Sequence, residues 1–230
     1  FVVAPAGSFN TEVGLPMTAL RVDADTRVLV AEMGARDTGH IAYLCGITPP
    51  RVGIVLNVGS AHLEIFGSRD TIASAKGELV ASVPPAAEGG VAVLNADDPL
   101  VLDMASRTAG RVVTFGRSPR AEVRAESVTV DEDGRASFDL VAGVERARVR
   151  LTLHGEHHVS NALAVAAAAL ALGVGFPAVV ARLVTARAAS RWRMEVTRRP
   201  DDVTVINDAY NANPESVSAA LAALVAMARP

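Results

Sequence analysis

Three side chains in the first third of the chain have the types and spacing that handle charge on transferable groups: Glu32, His62 and Lys76. Lys76 stands out because all but one of the 22 basic residues are arginine. Arginine keeps its charge at any usable pH, whereas a buried lysine loses its proton and then acts as a nucleophile or combines with CO₂. A carboxylate, an imidazole and a carbamylated lysine would together offer oxygen and nitrogen ligands to divalent cations. Mg²⁺ prefers the oxygens, and an imidazole would also accept Mn²⁺. Each residue has an ordinary alternative. Glu32 suits a helix cap or an ion pair, His62 suits a hydrogen-bonded turn, and codon bias can leave one lysine behind. The shared location of all three weakens those alternatives together.

That location follows from the pattern of elements. Residues 28–32, 52–57, 91–95 and 112–115 read as short buried strands. Residues 39–45, 70–83 and 99–105 read as helices between them, with Ile72, Ala75, Leu79 and Val83 on one face of the second. This alternation predicts an α/β fold, a doubly wound and mainly parallel sheet with flanking helices. Residues 121–130, 135–141 and 147–153 alternate with the two-residue period of half-exposed strands, and Asp131-Glu132-Asp133-Gly134 is a hairpin turn. They are expected to form a small antiparallel sheet beside the main one. Helices follow at 159–172, 177–188 and 214–227, with strands at 194–197 and 203–207 before the last. In open α/β sheets ligands bind at the carboxyl ends of the strands. Three polar clusters fall there: Glu32-Met33-Gly34-Ala35, Asn57 to Glu64, and Asn95-Ala96-Asp97-Asp98-Pro99. Lys76 lies on the helix after the second.

Composition narrows the class. Half the residues are hydrophobic but only 4% are aromatic, so the core must be aliphatic, as in a helix-covered parallel sheet. A net charge of −3 without long runs of one sign argues against nucleic acid as a partner. One cysteine, Cys45, excludes an intrachain disulfide and fits a reducing cytoplasm; its apolar surroundings make it a core residue. Residues 162–181 carry no charge, but Gly173-Val174-Gly175-Phe176-Pro177 interrupts them, so two buried helices are expected and no membrane span. The chain opens inside an apolar run at Phe1, like a piece of a longer protein.

The motifs resemble a known family. Glu32-Met33-Gly34-Ala35, Asn57-Val58-Gly59-Ser60-Ala61-His62-Leu63-Glu64 with Phe66-Gly67-Ser68, Ala75-Lys76-Gly77-Glu78 and Leu94-Asn95-Ala96-Asp97-Asp98-Pro99 resemble the central ATPase domain of the Mur ligases. Residues 7–16 (Gly-Ser-Phe-Asn-Thr-Glu-Val-Gly-Leu-Pro) and 207–214 (Asn-Asp-Ala-Tyr-Asn-Ala-Asn-Pro) resemble the MurF-type form, and the likeness runs from end to end. The resemblance implies that Glu32 binds the Mg²⁺ bridging the β- and γ-phosphates of ATP. It implies that His62 binds a second Mg²⁺, and that a carbamate on Lys76 places that second ion. It assigns Asn161 to adenine, Arg193 to the phosphates and Asp208 to the ribose hydroxyls, with Asn211 and Asn213 in the nucleotide motif.

The implied reaction is ATP-dependent joining of D-Ala-D-Ala to UDP-MurNAc-tripeptide through an acyl phosphate, in a cytoplasmic and monomeric enzyme of peptidoglycan precursor synthesis. The phosphate loop, Gly-x-x-x-x-Gly-Lys-Ser/Thr, occurs nowhere in the 230 residues and is expected just upstream of Phe1. Residues 1–230 would then be the central ATP-binding domain, without the UDP-binding and C-terminal domains, and inactive alone. A sister ligase adding a diamino acid or acting on folate, or an inert nucleotide-binding module, are the competing readings. Two departures stand out: His157-His158 where the family has His-Asn, and Ile65 where glycine is frequent.

Overall fold

The structure is a computed structural model that describes residues 1–59, 63–188 and 190–228; the side chain of Ile65 lies outside the description. Its centre is a six-stranded sheet in chain order. β3 (Val52–Val55), β4 (Val91–Asn95), β5 (Arg111–Gly116) and β6 (Val123–Val130) are parallel, and β7 (Arg135–Ala142) and β8 (Glu145–His154) add antiparallel. β6 joins the edge of β5 at Phe115↔Val123, so the strands expected to lie beside the main sheet are a continuation of it. Burial explains this: Val123 and Ala125, then Phe138, Leu140, Val149 and Leu151, extend the same apolar face. Two small sheets complete the strands. β1 (Val2–Val3) pairs parallel with β2 (Val28–Leu29), and β9 (Glu195–Arg198) pairs antiparallel with β10 (Thr204–Asn207).

Helices cover both faces. Val91 and Val93 of β4 point to one core with Phe115, where α6 (His158–Ala171) and α7 (Phe176–Leu183) bring Val159, Leu163, Ala167 and Val179. Ala92 and Leu94 point to the other, against Ile72, Ala75 and Val80 of α4 (Arg69–Ala81) and Val101 of α5 (Pro99–Leu102). The two-residue period of a strand sorts alternate side chains to opposite cores, and each large aliphatic so buried contributes about 1.5–3 kcal/mol. The remaining helices are α1 (Gly14–Ala19), α2 (His40–Ile47), α3 (Leu63–Phe66) and α8 (Pro214–Met227). Among the described residues no helix is long and apolar enough to cross a membrane; the uncharged stretch at 162–181 is divided between α6 and α7.

Local chemistry sets the ends that matter for the site. Ser68 caps α4, its hydroxyl accepting from Thr71 N at 3.1 Å, and Asp70 sits in the first turn where the helix dipole favours an anion. Asp98 caps α5 ahead of Pro99, and Asn213 caps α8 ahead of Pro214, in the Pro-at-N1 arrangement.

Candidate active site

Lys76 stands at the carboxyl rim of the sheet. On its helix, α4, it stands between the buried Ala75 and Gly77 and is itself half-buried. Nζ donates to Asn57 O at 2.7 Å, in the loop that leaves β3. Burial pushes the amine below its usual range, and the negative charge of Asp98 opposes the shift only in part. Burial therefore enriches the neutral amine, the form able to react with CO₂.

The acidic cluster after β4 builds this loop and is not free for ligands. Asn95, almost fully buried, donates to Leu56 O at 2.8 Å and accepts from Asp97 N at 2.9 Å. Asp98 accepts from Leu100 N at 3.0 Å as the α5 cap and from Val58 N at 2.7 Å with its other oxygen. Residues 56 and 58 are thus fastened on both sides of Asn57, whose carbonyl receives Lys76. Asp97 accepts from Arg117 N (2.7 Å) and Ser118 N (2.8 Å) after β5.

Glu32, beyond the end of β2, is exposed. Asn10 Nδ2 donates to its Oε1 at 2.8 Å, and Gly34 N donates to Asn10 O at 2.8 Å, so the two loops are laced together. The loop carrying Asn10 is pressed against the start of α1: a Cβ on Gly14 would lie 2.6 Å from Phe9 Cα. Glu12 extends the lacing, with His40 Nε2 at 3.3 Å and Arg36 at 3.8 Å. Glu78, two residues beyond Lys76, accepts from Gly39 N and from Ala42 N (3.0 Å) at the start of α2. This ties the Lys76 helix to the segment that follows Glu32.

The nucleotide candidates lie on α6 and on the 193–213 stretch, whose Tyr210 reaches the loop of Ser8. Asn161 lies in the first turn of α6, exposed, with Nδ2 3.5 Å from His158 Nδ1. The His157 and His158 rings stand 4.2 Å apart. Burial, then the neighbouring His157 and His154, hold His158 down to about 4, so it is a neutral imidazole at pH 7. Burial also lowers His157, and the charge of Asp208 acts in the opposite direction. Asp208 Oδ1 accepts from Met194 N at 2.9 Å. Arg193 lies over the ring of Tyr210, 4.2 Å from its centroid. An open cavity of about 400 Å³ is bounded by His154, His158, Arg187, Arg193 and Met194. Asn211 is exposed, and the Asn213 Oδ1 accepts from Ser216 N at 2.8 Å in a capping box.

His62, with Ser60 and Ala61, lies outside the described residues. Among the described residues no group of three His, Cys, Asp or Glu side chains is disposed to hold a metal. The oxygen chemistry of Glu32, half-satisfied by Asn10 and exposed, suits a hard cation that keeps most of its waters. Asn10, Asp98 and Tyr210 carry much of the geometry; each sits inside a motif, but its long-range partner has no local signal in the sequence.

The Mur ligase middle domain model matches residues 2–169. The chain belongs to the Mur ligase family. The UDP-N-acetylmuramoyl-tripeptide–D-alanyl-D-alanine ligase of Mycobacterium bovis is 52% identical to this Mur ligase chain over 223 residues, covering 97% of it and 43% of the relative. The Escherichia coli ligase of the same name is 35% identical, covering 96% of this chain and 48% of its own length. MurF from Acinetobacter baumannii matches with a TM-score of 0.91 at 32% identity, over 99% of this chain and 49% of that one. MurF from Thermotoga maritima, solved in complex with ADP, matches with 0.85 at 30% identity, over 97% and 50%. The chain therefore spans half or less of the length of these Mur ligase relatives.

Proposed function

We propose that residues 1–230 are the central, ATP-binding part of a MurF-type ligase that joins D-Ala-D-Ala to UDP-MurNAc-tripeptide in the cytoplasm, with UDP-binding and C-terminal domains on either side. One observation carries this reading: the sole lysine is partly desolvated and anchored to Asn57 O at the sheet rim, beside the segment that follows Glu32. The high identity to named ligases of that specificity supports the choice among sister enzymes.

In this reading the tripeptide carboxylate attacks the γ-phosphorus of ATP, ADP departs, and an acyl phosphate remains. The D-Ala-D-Ala amine then attacks the acyl carbon, losing a proton as phosphate leaves. The chain's residues align and neutralise; none needs to bond covalently to substrate. Asn161 offers a donor and an acceptor to the adenine edge, and Asp208 keeps Oδ2 for the ribose hydroxyls. Arg193 faces the phosphates, and Asn211 and Asn213 border the nucleotide. Lys76, neutral, attacks CO₂ through its lone pair and releases a proton, giving a carbamate. That carbamate, with Glu32 and His62, would hold two Mg²⁺ ions (or Mn²⁺), which when bound offset the phosphate and carboxylate charge.

The open sheet edges support a further strand carrying the phosphate loop. β2 pairs parallel with β1 and β3 with β4, and each has an unpaired side among the described residues, with Val28, Val30, Ile54 and Leu56 exposed along or just beyond them. Such edges are normally covered. The direct test uses the full-length protein: ADP should be released over many turnovers only when UDP-MurNAc-tripeptide and D-Ala-D-Ala are both present. Sustained turnover that ignores the second substrate would defeat the reading.

A further inference from the structure

Arg193 occupies a costly piece of backbone. Both its neighbours, Trp192 (φ 61°) and Met194 (φ 48°), adopt the left-handed conformation that non-glycine residues avoid. Such conformations cost about 1–3 kcal/mol each and persist only where the surroundings over-determine them. Here the surroundings come from one short segment. Asp208 Oδ1 accepts from Met194 N, and Tyr210 N donates to Trp192 O at 3.1 Å, one clamp on each side of Arg193. The Tyr210 ring lies under the guanidinium at 4.2 Å. Among the described residues Arg193 has no carboxylate partner, so stacking fixes its plane while its N–H groups remain unspent. The Tyr210 hydroxyl in turn hydrogen-bonds the Ser8 hydroxyl, on the loop whose Asn10 orients Glu32.

We propose that Tyr210 is a positioning residue that aims Arg193 at the nucleotide phosphates and, through Ser8, locks the Glu32 loop to the nucleotide segment. The inference rests on the reading of Arg193 as a phosphate contact and adds a residue and a coupling to it. The ring and the hydroxyl have separable tasks. The π face holds Arg193 and sets nucleotide affinity. The hydroxyl joins the two loops and sets the rate at which bound nucleotide reacts.

The test measures binding of a non-hydrolysable ATP analogue with Mg²⁺ to the full-length protein, alongside kcat for ADP release. Tyr210→Leu should weaken analogue binding about 3- to 30-fold. Tyr210→Phe should restore binding to within about twofold while leaving kcat reduced. In an Arg193→Ala background, Tyr210→Leu should cost nothing further. Ser8→Ala, on an exposed loop, should lower kcat with analogue affinity kept, and it serves where the leucine variant does not fold. Equal losses for Phe and Leu, additive losses in the double variant, or an unaltered kcat in Ser8→Ala would overturn the proposal and leave the ligase reading standing. A wild-type protein that binds no analogue would overturn both.

Discussion

Glu32 and Lys76 show how neighbours convert ordinary side chains into candidates for chemistry. Asn10 spends one amide hydrogen on Glu32 Oε1 and thereby steadies the exposed carboxylate. A hydrogen bond to an ionised group is worth about 1.5–3 kcal/mol. Asn10→Ala should therefore raise the Mg²⁺ concentration needed for half-maximal ADP release roughly tenfold, with the melting temperature little altered, as a Mg²⁺ titration of the full-length enzyme would show. His158 makes a second residue-level case. Its pKa falls from 6.5 in the unfolded chain to about 4 in the folded one. Between those values the unfolded state binds more protons, so stability is complete above about pH 6.5 and declines as pH falls toward 4. Thermal melts from pH 7.5 to 4.5 should show this decline, and His158→Asn should remove part of it. Protonation of the more exposed carboxylates would leave the remainder.

Elements hold these residues in register. Asp98 is the clearest element-scale device, capping α5 and anchoring Val58 with the same carboxylate. Asp98→Ala removes a cap worth about 1 kcal/mol and a charge-assisted bond worth about 1.5–3 kcal/mol. Urea denaturation should register a loss of roughly 2–4 kcal/mol, and Asn57 O should lose its fixed place under Lys76. The sequence makes some of this architecture readable. β4 matches its predicted span, residue for residue, because five buried apolar-to-Asn positions end at a turn. α8 matches because Asn213-Pro214 announces a capped start. Other elements carry no local signal. β1 is two residues long and exists through pairing with β2, and α3 is a single turn. α1 begins with Gly14 and contains Pro16, which reads as a turn; burial of Leu15 and Thr18 makes it a helix. The two-residue period reveals that β6 to β8 are half-exposed strands, yet it says nothing of the parallel pairing at Phe115↔Val123 that fuses them to the main sheet. The candidate site is read from the sequence as residue types at strand ends. The lacing that aims them is not, because Asn10 to Glu32, Glu78 to Gly39 and Tyr210 to Ser8 are long-range pairs that no local pattern encodes.

At the scale of the molecule the sheet is divided. The β1–β2 pair and the six-stranded sheet are joined through α2 and α4 and the Glu78 contacts, while β2 and β3 keep open edges among the described residues. A parallel strand inserted there would continue the hydrogen-bond ladder and deliver its carboxyl end between Glu32 and Asn57. Hydrogen exchange should then find the outward-facing amides of residues 28–30 and 52–56 protected in the full-length protein. The same amides should exchange quickly in the 230-residue chain alone. Equal exchange in both would place the phosphate loop elsewhere. The most direct measurement of the whole account is ADP release by full-length Lys76 variants. Lys76→Ala should lose most activity and regain part of it with added short carboxylates, and Lys76→Arg, charged but unable to form a stable carbamate, should stay inactive. An active Lys76→Arg enzyme would contradict the central claim that this lysine does what arginine cannot.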